Sequence, residues 1–153
     1  MLREYFMNML RYDLWANETI ADAIRPVYEQ DERIIRLFCH IINAQTLWLQ
    51  RIQGDDFNAI APWDEYGYDE ALERMQQTHR EWLDYLSALA EEELADWISY
   101  TNTKGVAFEN TVQDIVSHVL FHGMYHRAQI ATRIKHHDMP PPVTDYIAYV
   151  RRT

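Results

Sequence analysis

His118-Val119-Leu120-Phe121-His122-Gly123-Met124-Tyr125-His126-Arg127-Ala128-Gln129 sets three histidines four residues apart in a stretch whose composition suits a helix. On an α-helix, positions four apart lie one turn apart on the same face, so two such imidazoles can grip one cation. Three cannot. Residues 118 and 126 are about 12 Å apart along the axis, whereas each ring nitrogen must come within roughly 2.0–2.1 Å of the ion. Either the 118/122 pair or the 122/126 pair chelates, and a third ligand has to come from another helix.

His40 is the candidate third ligand. In the segment Leu37–Ile52, apolar residues recur at 34, 37, 38, 41, 44, 48 and 52, the spacing of a helix with one buried face, and His40 falls at the edge of that stripe. One imidazole facing an i,i+4 pair makes a three-nitrogen cap with an open side. That is the ligand count of a catalytic or exchangeable site, since closed structural zinc sites take four protein ligands. Imidazole donors point to Zn²⁺, Ni²⁺, Fe²⁺ or Co²⁺ rather than Mg²⁺ or Ca²⁺. The second nitrogen of each ligand needs an acceptor, and Asp13, Asn17 and Gln129 are candidates, with a surface position as the equal alternative for Asp13.

Periodicity places four long helices at about residues 2–24, 31–53, 69–90 and 112–136. The first turns Leu2, Phe6, Met9, Ala16, Ile20 and Ala23 inward and stops before Pro26. Gly54 to Gly67, with Asp55, Asp56, Asn58 and Pro62, reads as a long crossover loop that exposes Phe57 and Trp63. Between Glu91 and Asn110, Trp97–Thr101 and Val106–Phe108 flank Asn102-Thr103-Lys104-Gly105 as a short hairpin. Thr111 with Asp114 resembles an N-cap for the last long helix, and the tail after Pro142 has room for a short helical turn. The chain is expected to be an all-α four-helix bundle, one domain over residues 1–153, with ligands projecting inward from facing helices.

The remaining histidines have blander readings. His79 shares a stripe with Leu72, Met75, Trp82, Leu86 and Leu89, so it fills the bundle, with a fourth-ligand or acid–base role as the alternative. His118 reads as a neighbour of the site or as surface. His136 and His137 sit where positive charge favours a helix C-terminus. Cys39 is the only cysteine, so no internal disulfide exists; it points about 100° away from His40 and reads as a small buried side chain.

A net charge of −10 argues against a nucleic-acid partner, which needs clustered Lys and Arg. No apolar run approaches the roughly 20 residues of a membrane span, and residues 1–25 are amphipathic rather than a signal or transit peptide. A cytoplasmic location is expected. Trp15, Trp48, Trp82 and Tyr85 exceed what one stripe per helix would bury, which suggests a homodimer.

Several of these segments resemble the DinB/YfiT family of four-helix-bundle metalloproteins. Tyr12-Asp13-Leu14-Trp15-Ala16-Asn17 is similar to the family's first-helix Trp-Ala-Asn signature, and Leu47–Ile52 to the pattern after its first ligand. His122–Ile130 resembles the His-x-x-His-His-Arg-Gly-Gln box, and Thr144-Asp145-Tyr146-Ile147 the C-terminal motif. The resemblance implies that the ligands are His40, His122 and His126. Tyr125 replaces the first histidine of the doublet and Ala128 replaces the glycine; neither is a ligand position, but Tyr125 alters the pocket's shape and hydrogen bonding. It also implies a metal-dependent enzyme acting on a small molecule, foremost a thiol S-transferase using a low-molecular-weight thiol and next a hydrolase. The alternative is a non-catalytic metal-binding or stress-response bundle. No His-Glu-x-x-His pair is present, so a peptidase of that type is disfavoured. Three neutral imidazoles leave an ion its full charge, which acidifies bound water or thiol, and the open side is expected to be lined by Tyr125 and one or more of Trp15, Trp63 and Tyr146.

Overall fold

A computed structural model describes residues 1–54, 60–102 and 104–152. Its elements are α1 (Leu2–Ile24), α2 (Glu32–Gln53), α3 (Tyr68–Ala88), the strands β1 (Trp97–Thr101) and β2 (Ala107–Thr111), α4 (Val112–His136) and a short α5 (Tyr146–Val150). The all-α bundle read from periodicity is the fold that forms, with the small hairpin between α3 and α4. β2 reaches Thr111, three residues past the expected Phe108, because Trp97 pairs with Thr111 as Thr101 pairs with Ala107. Phe57, Asp55, Asp56 and Asn58 of the crossover loop, and Thr103 of the hairpin turn, lie outside the described residues. Among the described residues, no helix is long and apolar enough to cross a membrane.

The helix ends follow from local chemistry. The Asp31 carboxylate accepts from the Arg33 amide at the start of α2, and Gly54 closes its far end at φ 75°, a left-handed backbone that suits glycine. At α4 the expected cap forms a full capping box: the Thr111 hydroxyl accepts from the Asp114 amide, and the Asp114 carboxylate accepts in return. His137 ends α4 and its Nε2 lies 3.3 Å from Asp31 Oδ2, so it ties that end to the start of α2.

Cross-helix contacts give the topology. Asp31 meets Arg133 and His40 meets His126, so α2 and α4 are antiparallel. The Tyr68 hydroxyl donates to the Ala21 carbonyl and Gln76 to Glu18, so α3 runs antiparallel to α1. Thr46 meets Thr78 while Trp82 donates to the Gln45 carbonyl, and Tyr66, just before α3, reaches back to Asn43; α2 and α3 are therefore parallel. Parallel neighbours cannot be joined by a tight turn, so a long loop has to connect α2 to α3, and its described part is residues 60–67. On the way that loop crosses the His40 face, and it supplies part of the site.

The core has two apolar halves. One gathers Ile20, Ile24, Ile34, Phe38, Ile41, Met75, Ile130 and Ile134; the other gathers Phe6, Leu10, Leu49, Ile52, Trp82, Leu86, Val116 and Val119. Between them lies a polar layer from Asp13, Asn17, Gln45 and Arg127, all buried. Leu2, expected inward, is 39% exposed, because α1's first turn overhangs the bundle end. Of the aromatics thought to be in surplus, Trp82 is buried, and Trp15, Trp48 and Tyr85 pack within the chain, on Tyr149, Tyr100 and Trp82.

Candidate metal centre

α2 and α4 bring His40, His122 and His126 together, with one candidate ligand nitrogen from each within 4.8 Å of the others. His40 and His126 are buried and His122 half-buried. His40 Nδ1 lies 2.7 Å from the Pro62 carbonyl oxygen, which can only accept, so Nδ1 carries the proton and Nε2 is left with a free lone pair. His126 Nδ1 lies 2.9 Å from Gln129 Oε1, which frees its Nε2 in the same way. His40 Nε2 then faces His122 Nε2 at 3.2 Å.

That separation is itself a test of fit. Two lone pairs facing at this distance repel unless a proton or a cation lies between them. Two nitrogens bound tetrahedrally to one ion, each at about 2.0–2.1 Å, sit about 3.3 Å apart. The donor set and its spacing suit a nitrogen-seeking divalent metal. Burial pushes His122 down from 6.5 to about 3, with the charges of His126, His40 and His118 adding to the effect, and burial likewise lowers His40. Both rings are therefore neutral near pH 7, the form that binds metals.

Trp63 closes one side. Its ring stacks on His40 with centroids 3.6 Å apart and planes 1° apart, and lies edge-on to His126 at 6.2 Å. The sequence reads Trp63 both as exposed and as a candidate lining residue, and both hold: part of it is exposed, and its other face is the roof of the site. Tyr125 lies beside His126, with centroids 5.1 Å apart, and is 64% exposed. Trp15 and Tyr146 are elsewhere: they form an aromatic cluster with Tyr12 and Tyr149, where α5 returns onto α1. Of the three aromatics named for the pocket beside Tyr125, Trp63 alone reaches the histidines.

His118 stays outside the group. It is exposed, rests edge-on against Trp48 at 5.0 Å, and its ring centroid is 5.6 Å from that of His122. His79 is half-buried beneath α1; burial lowers its pKa, while Asp13 and Glu18 pull the other way, and it is absent from the histidine group. Cys39 is buried, with its thiol 3.5 Å from the Tyr66 carbonyl and pushed up by burial, as befits a packing residue.

Asp13 and Asn17 correct the sequence reading most. Neither receives a proton from a ligand histidine; the acceptors are the Pro62 carbonyl and Gln129. Instead they hold Arg127, the residue after His126. Arg127 Nη1 donates to Asp13 Oδ1 and, at 2.8 Å, to Asn17 Oδ1, while the Asn17 and Gln45 amides donate to Asp13 Oδ2. Gly123 permits this approach, since a Cβ there would lie 3.0 Å from both Arg127 Nη1 and Asp13 Oδ1. The network fixes the rotation of α4 next to His126 and so aims its two histidines at His40. Sequence offered a signal for it: residues 116, 119, 123, 127, 130 and 134 repeat every three or four, which puts Arg127 on the core stripe.

Residues 27–130 match the sequence model of the DinB superfamily. No curated protein gives a significant match.

Proposed function

The chain belongs to the DinB superfamily, and on that footing we propose that it is a metal-dependent enzyme that joins a low-molecular-weight thiol to an electrophilic small molecule. His40, His122 and His126 would hold one divalent transition metal, zinc or nickel ahead of iron or cobalt. The observation that supports this most is the preset tautomer pair: the Pro62 carbonyl and Gln129 hold protons on the outer nitrogens of His40 and His126, leaving their inner nitrogens as donors. A divalent cation held there supplies positive charge that favours a thiolate over a thiol near neutral pH. The chain's own part is to orient the donors through α4's buried network and to keep water off one side with Trp63. Tyr125 places its phenol beside His126, as a hydrogen-bond donor to an incoming anion.

A hydrolase would use the same centre with water as the nucleophile. A non-catalytic metal-binding bundle is the rival from another class. It draws support from the lack, among the described residues, of any carboxylate hydrogen-bonded to the three histidines. Thiol-dependent consumption of monochlorobimane by zinc-loaded protein separates these readings: the transferase gives turnover that falls to the uncatalysed rate in His122→Ala. Rates at background for the wild type across cysteine, glutathione and 2-mercaptoethanol would remove the transferase.

We also propose that two copies pair through an apolar face of exposed Tyr5, Phe121, Met124 and Tyr146. Light scattering should then report twice the chain mass, and a single-chain mass at all concentrations would refute pairing.

A further inference from the structure

Toward the end of α2 and α4 that carries Asp31 and His136, the histidine group gives way to a groove of about 480 Å³, lined in part by Arg33, Arg36, Arg133, Leu37, Trp63 and Gln129. Two of these belong to the site already described, as the roof of His40 and the acceptor for His126. The groove therefore borders the metal centre, with the Trp63 ring and Gln129 as their shared wall. In a chain of net charge −10, its lining carries three arginines and, among the described residues, no carboxylate.

The arginines are not equally free. Arg133 is committed to Asp31 through two hydrogen bonds of 2.8 Å. Arg36 reaches Glu65 at only 3.5 Å, with both side chains about half exposed, and its guanidinium lies 5.5 Å from the centre of the Trp63 ring. Arg33 has no ion pair among the described residues, although Glu29 and Glu32 border its outer side. Arg33, with no ion pair, and Arg36, with a long and exposed one, are therefore the guanidinium groups that can turn to an anion in the groove.

Spacing relates this charge to the metal centre. Arg36 and Arg33 precede His40 by four and seven residues on α2, which places them about 6 and 10 Å along the helix axis from it. Leu37 and the Trp63 ring give the intervening wall an apolar surface. Resting on the metal-site reading above, we infer that the substrate is a carboxylate-bearing small molecule: its carboxylate lies at Arg33 and Arg36, its apolar body lies along Leu37 and Trp63, and its reacting end lies at the histidines. A guanidinium fork matches a carboxylate edge, and a charge-assisted pair in a half-enclosed groove discriminates strongly against a neutral isostere.

Two thiols of equal length test this. In cobalt-loaded protein, 6-mercaptohexanoate should perturb the visible spectrum at about tenfold lower concentration than 6-mercaptohexanol. The preference should shrink as salt is raised and vanish in the Arg33→Gln/Arg36→Gln double variant, whose affinity for the alcohol stays that of the wild type. In metal-free protein, hexanoate should shift the Arg33 and Arg36 Nε–H resonances saturably, and 1-hexanol should leave them in place. Equal affinity of the two thiols, or a preference that survives in the double variant, overturns the carboxylate assignment while leaving the metal centre standing. Failure to take up cobalt overturns the metal reading instead, and the hexanoate titration of metal-free protein then decides the anion site alone: saturable shifts uphold it and their absence overturns it.

Discussion

Replacing Arg127 with Met is expected to destabilise the protein by about 3–5 kcal/mol, the usual cost of leaving one partner of a buried ion pair alone. Arg127 is 2% exposed and Asp13 3%. Without the guanidinium, the buried Asp13 carboxylate keeps only the amides of Asn17 and Gln45 as hydrogen-bond partners and loses its ion pair. The pair itself need not be a net gain, because Nε and Nη2 of Arg127 have no protein partner among the described residues and so add to the cost of burial. The expectation is therefore asymmetric: Asp13→Asn combined with Arg127→Met should lose clearly less than the sum of the two single changes. Urea unfolding of the four proteins measures this. An Arg127→Met midpoint indistinguishable from wild type, or strict additivity in the double variant, would contradict the role given to the polar layer.

Removing the metal is expected to lower the melting temperature by roughly 8–16 °C relative to protein in excess zinc. A ligand at a thousand times its dissociation constant stabilises by about 4 kcal/mol, and each kcal/mol moves a domain of this size by roughly 2–4 °C. The physical origin lies in the three inner nitrogens, which are desolvated and face one another with His40 and His122 at 3.2 Å. A cation takes up these converging donors in the folded state and has no comparable site in the unfolded chain. Differential scanning calorimetry with and without chelator is the measurement; superimposed transitions would mean that the histidines do not hold an ion.

The bundle was legible in the sequence because its signals are local. Helix periodicity, the Thr111–Asp114 box and the break before Pro26 each depend on a few neighbouring residues, and α1 and α4 end where those signals say. The trio of histidines was also within reach, since an i,i+4 pair restricts its own geometry and His40 stood alone on its stripe. What sequence did not supply was the path of the crossover loop. Pro62 contributes a backbone carbonyl, which has no residue-specific signature, and Trp63 shows its two faces only once the loop lies over His40. Asp13 and Asn17 were read as partners for the ligands because they share α1's inner face. They point instead to Arg127, which stands on the core stripe of α4 directly after a ligand histidine. Trp15 and Tyr146 were misplaced for a related reason: the chain after Pro142 folds back onto α1, a long-range return that no periodicity encodes.

Metal analysis of the purified wild type and of His40→Ala, His122→Ala, His126→Ala and His118→Ala tests the central claim most directly. About one divalent transition metal per chain is expected in the wild type and in His118→Ala, since His118 lies outside the group, and occupancy should collapse in the other three because two imidazoles hold an ion far less firmly than three. Full occupancy in all three of those variants would contradict the account.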